Sequence, residues 1–382
     1  MVLDGCGGTT RSAPDRPLDE HLRLRFMSMY DLPQITVEGS PTTMGRQQGD
    51  AFGEHIRSLV SHRLQESEHY FVDRGITDGA KQLQTAGQHL LDLLSDWDPE
   101  GHQEHVGIAE AASVDAAALL VTLNMTDTRD LICFDRRSDD EGCTAMLVPA
   151  ARSVDDCLLA AQTWDLNQGD LKHVTCVHRK PDEGPHTVSV SIAGGPTLIG
   201  LNEHGVWVGT TNLKTRDVQP GIGYMSLLHR AIRQRSHEDA ANVIEHAPRI
   251  AAHTYWLADE HGGVELECTA SHTIRRVLSD EPIVQTNHCL GGVHEDAEPP
   301  SQSSVHRCQR ATSLLAQGRQ DVDSLRALLA DRSEGSLSIS RHPEDAEPTS
   351  TNACGIGVPA TRTFHTCRGP SDQGTWNAIQ LG

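Results

Sequence analysis

The residues of this chain whose types and spacing suit chemistry lie in Glu141-Gly142-Cys143-Thr144, with Ala145-Met146-Leu147-Val148 behind them and Gln162-Thr163-Trp164-Asp165 further on. Gly142 leaves the peptide bond before Cys143 sterically open, and a carboxylate sits in the next apolar run. A thiol that attacks an amide needs a base for its proton, donors for the oxyanion and a group that orients the base. If the chain is cut between Gly142 and Cys143, the new α-amine of Cys143 supplies that base, because an α-amine titrates near about 8. Asp165 is then the natural acceptor to hold the amine, although the position also suits a strand-end carboxylate bonded to local backbone. Asn212 and Asn287 each close an apolar strand and offer neutral amides for an oxyanion, and an Asn at a strand end equally suits a turn.

Such groups need rigid elements behind them. Pro33 to Ser40 reads as a strand and turn, and Thr42 to Gly49 leads into a helix towards Leu64, with Phe52, Ile56, Leu59 and Val60 at helical spacing. Further helices are expected over residues 66–73, 79–95 and 103–124. Beyond Asp130 the pattern changes to short strands between Gly, Asp and Pro turns: 144–148, 157–163, 174–178, 187–192, 198–202 and 206–212. Their hairpin-like succession implies antiparallel pairing. Helices are expected again at 224–235 and 237–246, strands at 254–258, 264–269, 273–278 and 283–286, and a helical pair at 304–316 and 322–329. A strand-turn-strand closes the chain between Thr351 and Leu381. With no Pro/Ser-rich linker, the expectation is an α+β chain with a loosely attached tail over residues 1–30. The rest, 31–382, forms one domain with helices on both faces of two stacked sheets.

Composition narrows the chemistry. At 382 residues the chain buries a substantial core. A formal charge of -21 disfavours nucleic acid and anionic membrane surfaces as partners and favours cationic ligands. No apolar run reaches the ~18 residues of a membrane-crossing helix, and the N-terminal stretch is too polar for a signal peptide, so the expected location is cytoplasmic. There, ten cysteines (6, 133, 143, 157, 176, 268, 289, 308, 354 and 367) with no Cys-x-x-Cys read mostly as reduced core thiols. The 22 histidines invite a metal reading, but two clusters, His102 with His105 and His288, Cys289, His294, His306 and Cys308, lack the spacing of a zinc ribbon or a helical His-Glu-x-x-His site. No metal and no cofactor are expected. Gly221-Ile222-Gly223 and Gly355-Ile356-Gly357 do not complete a dinucleotide fingerprint, and neither a Gly-x-Ser-x-Gly elbow nor a phosphate-binding Lys-Ser/Thr loop is present.

In combination, Glu141-Gly142-Cys143-Thr144, Gln162 to Asn167, Gly205 to Asn212 and Thr286-Asn287-His288 resemble the acyl-coenzyme A:6-aminopenicillanic acid acyltransferase family of N-terminal nucleophile (Ntn) hydrolases. Gly39-Ser40 with Gly45 and Gly49 resembles the family's N-terminal segment, and Ser303-Ser304-Val305-His306-Arg307 its Ser-x-x-Arg helix start. Arg368-Gly369-Pro370 with Trp376 to Leu381 resembles its last strand pair, so the likeness spans roughly residues 33–381. The resemblance implies a four-layer αββα sandwich of two mainly antiparallel sheets. It also implies a precursor that cleaves itself before Cys143 into an α chain, 1–142, and a β chain, 143–382, which stay together. Position by position, Cys143 is implied as nucleophile with its freed amine as base. Asp165 orients that amine, Asn287 matches the oxyanion-hole residue, and Asn212 corresponds to a second amide nearby. Related enzymes also place an arginine near the nucleophile; Arg368 falls on a glycine-proline turn and Ser350-Thr351-Asn352 carries none, so that role has no assigned position.

The activity implied is that of a cysteine amidohydrolase or N-acyltransferase acting through a Cys143 thioester. Its substrate would be a small N-acyl amine or N-acyl amino acid, with water, an amine or an acyl thioester as second reactant; homo-oligomers are left open. Two rivals stand beside it: a choloylglycine-hydrolase-like cysteine amidase, and a non-catalytic small-molecule binding protein on the same fold, which has no need of a free amine at residue 143.

Overall fold

The computed structural model describes residues 28–134, 142–290, 299–345 and 348–382. Most of the expected N-terminal tail, and Cys6, Glu141 and His294, lie outside the described residues. Strand β1 (Gln34–Gly39) runs into helix α1 (Pro41–Val72). Ser40 caps that helix, its Oγ accepting from the Thr43 N–H at 3.3 Å, and Pro41 occupies the first turn, where a missing N–H costs nothing. The two helices expected up to Leu64 and over 66–73 are this one helix, because good helix formers join them; its irregular backbone falls earlier, at Phe52 (φ -115°, ψ 16°). Gly49 faces the backbone of a neighbouring helix so closely that a Cβ there would stand 2.5 Å from the Ile108 carbonyl oxygen. The glycine is therefore a packing requirement.

After α2 (Gly79–Trp97) come α3 (Pro99–Ala112), α4 (Ala116–Leu123) and α5 (Met125–Ile132). The single helix expected over 103–124 is in fact α3 and α4, bent by 110° at a short break. Ser113 there takes a left-handed φ of 57°, and the Asp115 side chain accepts from the Ala118 N–H at 2.8 Å to start α4.

The remaining elements are β2 (Thr144–Val148), β3 (Leu159–Asn167), β4 (Val174–Pro181), β5 (Thr187–Ile192), β6 (Ile199–Asn202), β7 (Trp207–Asn212), α6 (Tyr224–Ala231) and α7 (His237–Glu245). They continue with β8 (His253–Asp259), β9 (Gly262–Cys268), β10 (Thr273–Val277), β11 (Ile283–Gln285), α8 (Gln302–Leu315), α9 (Val322–Leu329), β12 (Thr349–Val358), β13 (Thr363–Arg368) and β14 (Asn377–Gln380). The chain thus closes on three strands where a strand-turn-strand was expected.

Two sheets result, one ordered β1-β4-β5-β6-β7-β8-β9-β10 and the other β11-β2-β3-β12-β13-β14. Pairing between these strands is antiparallel except between β1 and β4, which run parallel, the whole helical segment intervening between them. Helix α1 packs on β1 and β4, and α6 and α7 on β7 to β9; α8 and α9 cover β11, β3 and β12 on the far side. Strands β2 and β3 lie against β7 and β8 in the middle. The order of layers is αββα, as the resemblance implies.

Strand β2 shows how alternation partitions the core. Cys143, Ala145 and Leu147 join the apolar cluster between the sheets, whereas Met146 and Val148 join the one beneath α8 and α9. Buried ion pairs tie the early helices to the sheet. Arg63 of α1 meets Asp170 at 2.7 Å, and Glu104 of α3 meets Arg179 of β4 at 2.6 Å and His229 of α6 at 3.2 Å. Burial alone would raise the Glu104 acid, but Arg179 and His229 hold it far below the usual carboxylate range.

Candidate active site

Cys143 immediately precedes β2 and is buried. Its thiol points towards the next strand, with Sγ 3.7 Å from the backbone oxygen of Asp165, and the following residue is fixed by the Thr144 N–H donating to Thr163 Oγ1 at 3.1 Å. The carboxylate of Asp165 lies against the peptide preceding Cys143. A Cβ on Gly142 would stand 2.5 Å from Asp165 Oδ2 and 2.8 Å from Arg341 Nε. Glycine at 142 is thus a steric necessity of this site, which sharpens the reading of an open peptide bond.

Asp165 belongs to the interior of β3 and is 1% exposed. Burial raises its acid to about 6; Arg341, then Arg307, with the hydroxyls of Thr351 and Thr163, pull in the opposite direction without prevailing. Among the described residues neither carboxylate oxygen has a partner in ordinary hydrogen-bonding geometry. The group retains acceptor capacity beside the 142–143 peptide.

Two arginines define this site that the sequence reading did not place in it. Arg307 is fully buried on α8, where its guanidinium donates to the carbonyl oxygen of Cys143, to Thr144 Oγ1 at 3.1 Å and to Asn287 Oδ1 at 2.9 Å. Burial, and after it the neighbouring Arg341, lower its pKa to about 10. Arg341 donates to Ser303 Oγ and to Thr349 Oγ1, both at 2.6 Å, and Ser303 Oγ also accepts from Arg307 Nε at 3.2 Å. The Ser-x-x-Arg helix start carried the signal for Arg307; Arg341 sits in an irregular stretch between two short 3-10 turns, Gly335–Leu337 and Pro343–Asp345, and has none. Arg368 lies elsewhere, donating to the backbone oxygen of Asp31 at 3.3 Å.

The two asparagines are brought together. Asn287 Nδ2 donates to the backbone oxygen of Asn212 at 3.0 Å, and the Asn287 N–H donates to Ser304 Oγ at 2.8 Å. Ser304 and Arg307, one turn apart on α8, therefore clamp the backbone and the side chain of the same asparagine. Asn212 itself lines a cavity of about 20 Å³ together with Cys143, Trp164, Asp165, Tyr224 and His253. That volume suits one water or the reacting end of a ligand. A larger cavity, about 230 Å³, opens beside Glu104, Arg179 and His229, but those charges satisfy one another and it holds no thiol. Of the histidines raised as metal candidates, His105 bonds the Ala116 carbonyl at 2.8 Å and His288 bonds Ser304 Oγ at 2.7 Å, both ordinary structural contacts.

Two stacked sheets between helical layers form a four-layer αββα sandwich, with a cysteine at the head of an inner strand and a carboxylate on the neighbouring one. The chain belongs to the acyl-coenzyme A:6-aminopenicillanic acid acyl-transferase family, whose sequence model matches residues 152–373, more than half of its length. The matched span includes Asp165, Asn212, Asn287, Arg307 and Arg341 and begins after Cys143. No curated protein matches the chain. Among solved structures it is similar to a variant of conjugated bile acid hydrolase from Clostridium perfringens, at 11% identity and a TM-score of 0.43, over 63% of this chain and 92% of that one. It is also similar to penicillin V acylase from Agrobacterium tumefaciens, at 14% identity and a TM-score of 0.41, with the same coverage of each chain.

Proposed function

We propose that the chain cleaves itself between Gly142 and Cys143 and then works as a cysteine amidohydrolase or acyltransferase on small N-acyl compounds. The observation that carries this reading is the seat of the 142–143 peptide, pressed against the Asp165 carboxylate on one side while Arg307 grips the Cys143 carbonyl on the other. In the first step the thiol adds to the Gly142 carbonyl, the C–N bond breaks as the nitrogen takes a proton, and a thioester forms. Water then releases the Gly142 carboxylate and restores the thiol, leaving a free amine on Cys143. The same cycle repeats on a substrate amide, with that amine as base and Asp165 as its acceptor, and ends when water or an amine takes the acyl group.

Asn287 supports the oxyanion in this reading. A primary amide has two N–H donors, and one is committed to Asn212. Asn287→Ala is expected to lower kcat about 10²- to 10³-fold with a small change in KM, as measured by steady-state kinetics. A KM effect alone would move Asn287 to substrate binding.

Asp165 sets the acid limb. As pH falls through about 6 the carboxylate takes a proton and ceases to hold the Cys143 ammonium, so kcat/KM is expected to fall on the acid side with an apparent pKa at or below about 6. Stability moves the other way. The folded acid is raised above its ordinary 3.8, so its contribution is fully present below that value and is lost as pH rises through about 6. Asp165→Asn is expected to lower kcat/KM strongly and to remove the acid limb from the residual activity, which a pH–rate profile checks.

The deciding experiment is the mass of the purified protein under denaturing conditions, combined with a thiol-reactive acyl probe and a panel of N-acyl amines and N-acyl amino acids scored for released amine. A single 41.6 kDa chain that resists the probe would overturn the proposal.

A further inference from the structure

We propose that Asp127 and His253 form a subsite beside the nucleophile that accepts an N–H of the substrate, with Nδ1 of His253 as the accepting atom. The inference rests on Cys143 being the nucleophile, and it assigns a role to groups that the mechanism above leaves unused.

His253 opens β8 directly opposite Asn212 on β7, so the register turns both side chains to one face, into the cavity that holds Cys143. Its Nε2 lies 2.7 Å from Oδ1 of Asp127 on α5, and both residues are at most 2% exposed. A carboxylate at that distance fixes the proton on Nε2 and leaves Nδ1 with its lone pair. The ring is further held by Tyr224, stacked on it at 4.6 Å, whose backbone N–H also donates to Asp127 Oδ2 at 3.3 Å. Thr126 Oγ1 completes the contacts of Asp127 at 3.4 Å. This is the arrangement of an imidazole oriented for a task at its other nitrogen.

That other nitrogen is buried and bonds no described residue, whereas buried acceptors are ordinarily satisfied. It shares a space of about 20 Å³ with Cys143 and Asn212, small enough that only atoms close to the attacked carbonyl can meet it. Next to that carbonyl, the groups of an N-acyl substrate able to donate are the amide N–H itself and an amino group near the carbonyl on the acyl side. Both present the same chemistry to an imidazole lone pair. The subsite therefore selects acyl compounds that carry an N–H beside the bond to be broken, in preference to esters of the same shape.

Two substitutions separate this role from a structural one. His253→Asn keeps an oxygen near the position of Nδ1 and gives up the bond to Asp127; His253→Gln keeps a group that reaches Asp127 and empties the accepting position. The full-length protein is assayed on N-acetylbenzylamine and benzyl acetate, and on their β-alanyl counterparts. The expected result is that His253→Gln lowers kcat/KM about 10- to 100-fold on compounds with the N–H, changes it only a few-fold on those without, and that His253→Asn restores most of the loss. Loss confined to the two amides identifies the scissile N–H as the donor, and loss on both β-alanyl compounds with none on the acetyl amide identifies the amino group. Equal losses on all four, or rescue by Gln and not by Asn, would overturn the proposal. The mass and thiol reactivity of Cys143 report on the nucleophile separately. ¹⁵N-histidine NMR with the β-alanyl benzylamide, which carries both donors, reads Nδ1 directly: a shift of that signal, absent with benzyl acetate, is expected, and no shift at saturation overturns the subsite even where Cys143 is active.

Discussion

Replacing Cys143 with alanine is expected to leave one uncut chain of 41.6 kDa and to lower turnover by on the order of 10⁴-fold or more, since both the thiol and the amine that would activate it are removed. The comparison that gives this result meaning is Cys157→Ala, for which cleavage and turnover are expected to persist. Cys157 lies outside the site, and burial raises its thiol. Two deeper thiols are no better suited: burial pushes Cys176 up to about 12 and Cys268 up to about 11, so both stay protonated at working pH. Mass spectrometry and amine release read the two effects independently. A Cys143→Ala protein that is cut or that turns over would end the assignment.

Arg307→Met is the second large effect. The side chain is similar in length but lacks the guanidinium, leaving the Cys143 carbonyl, Thr144 Oγ1 and Asn287 Oδ1 without their donor in a dry interior. Leaving a buried acceptor unsatisfied costs about 1–3 kcal/mol, visible as a lower urea midpoint at unchanged slope. Because Arg307 holds both the backbone of the proposed nucleophile and Asn287, kcat/KM is expected to fall at least about 10²-fold as well. Arg307→Lys restores the charge without the planar fork and is expected to recover stability better than activity. Wild-type kinetics in the Lys variant would show that charge alone suffices.

What could be read from the sequence follows from how each residue signals its place. The alternation after Cys143 displayed β2 directly, because one face packs between sheets and the other under α8 and α9. Strand β3 was harder. Its expected span stopped at Thr163, yet it runs to Asn167, since a carboxylate and an amide near its end look like a turn until two distant arginines lie beneath them. Arg341 is one of 32 Lys and Arg residues, and nothing local distinguishes a buried arginine from a solvated one. The parallel pairing of β1 with β4 was hidden for a related reason: the strands are separated by the entire helical segment, and periodicity carries no information about which distant edge a strand will join. Asp127 and His253 were likewise unremarkable at a helix start and a strand start, and only the fold makes them neighbours.

The buried pairs Arg63–Asp170, Glu104–Arg179 and Asp127–His253 all join a residue before position 142 to one after it. If the proposed cleavage before Cys143 takes place, these contacts become the seam of a heterodimer whose halves cannot part without stranding a charge. Dilution would then leave the processed protein whole. Unfolding, by contrast, becomes a one-way event, because the covalent link that once delivered both halves to the same place is gone and reassembly turns bimolecular. In such a protein the fold has to be completed before the cut, and the uncut chain is the only form that carries the instructions for its own assembly.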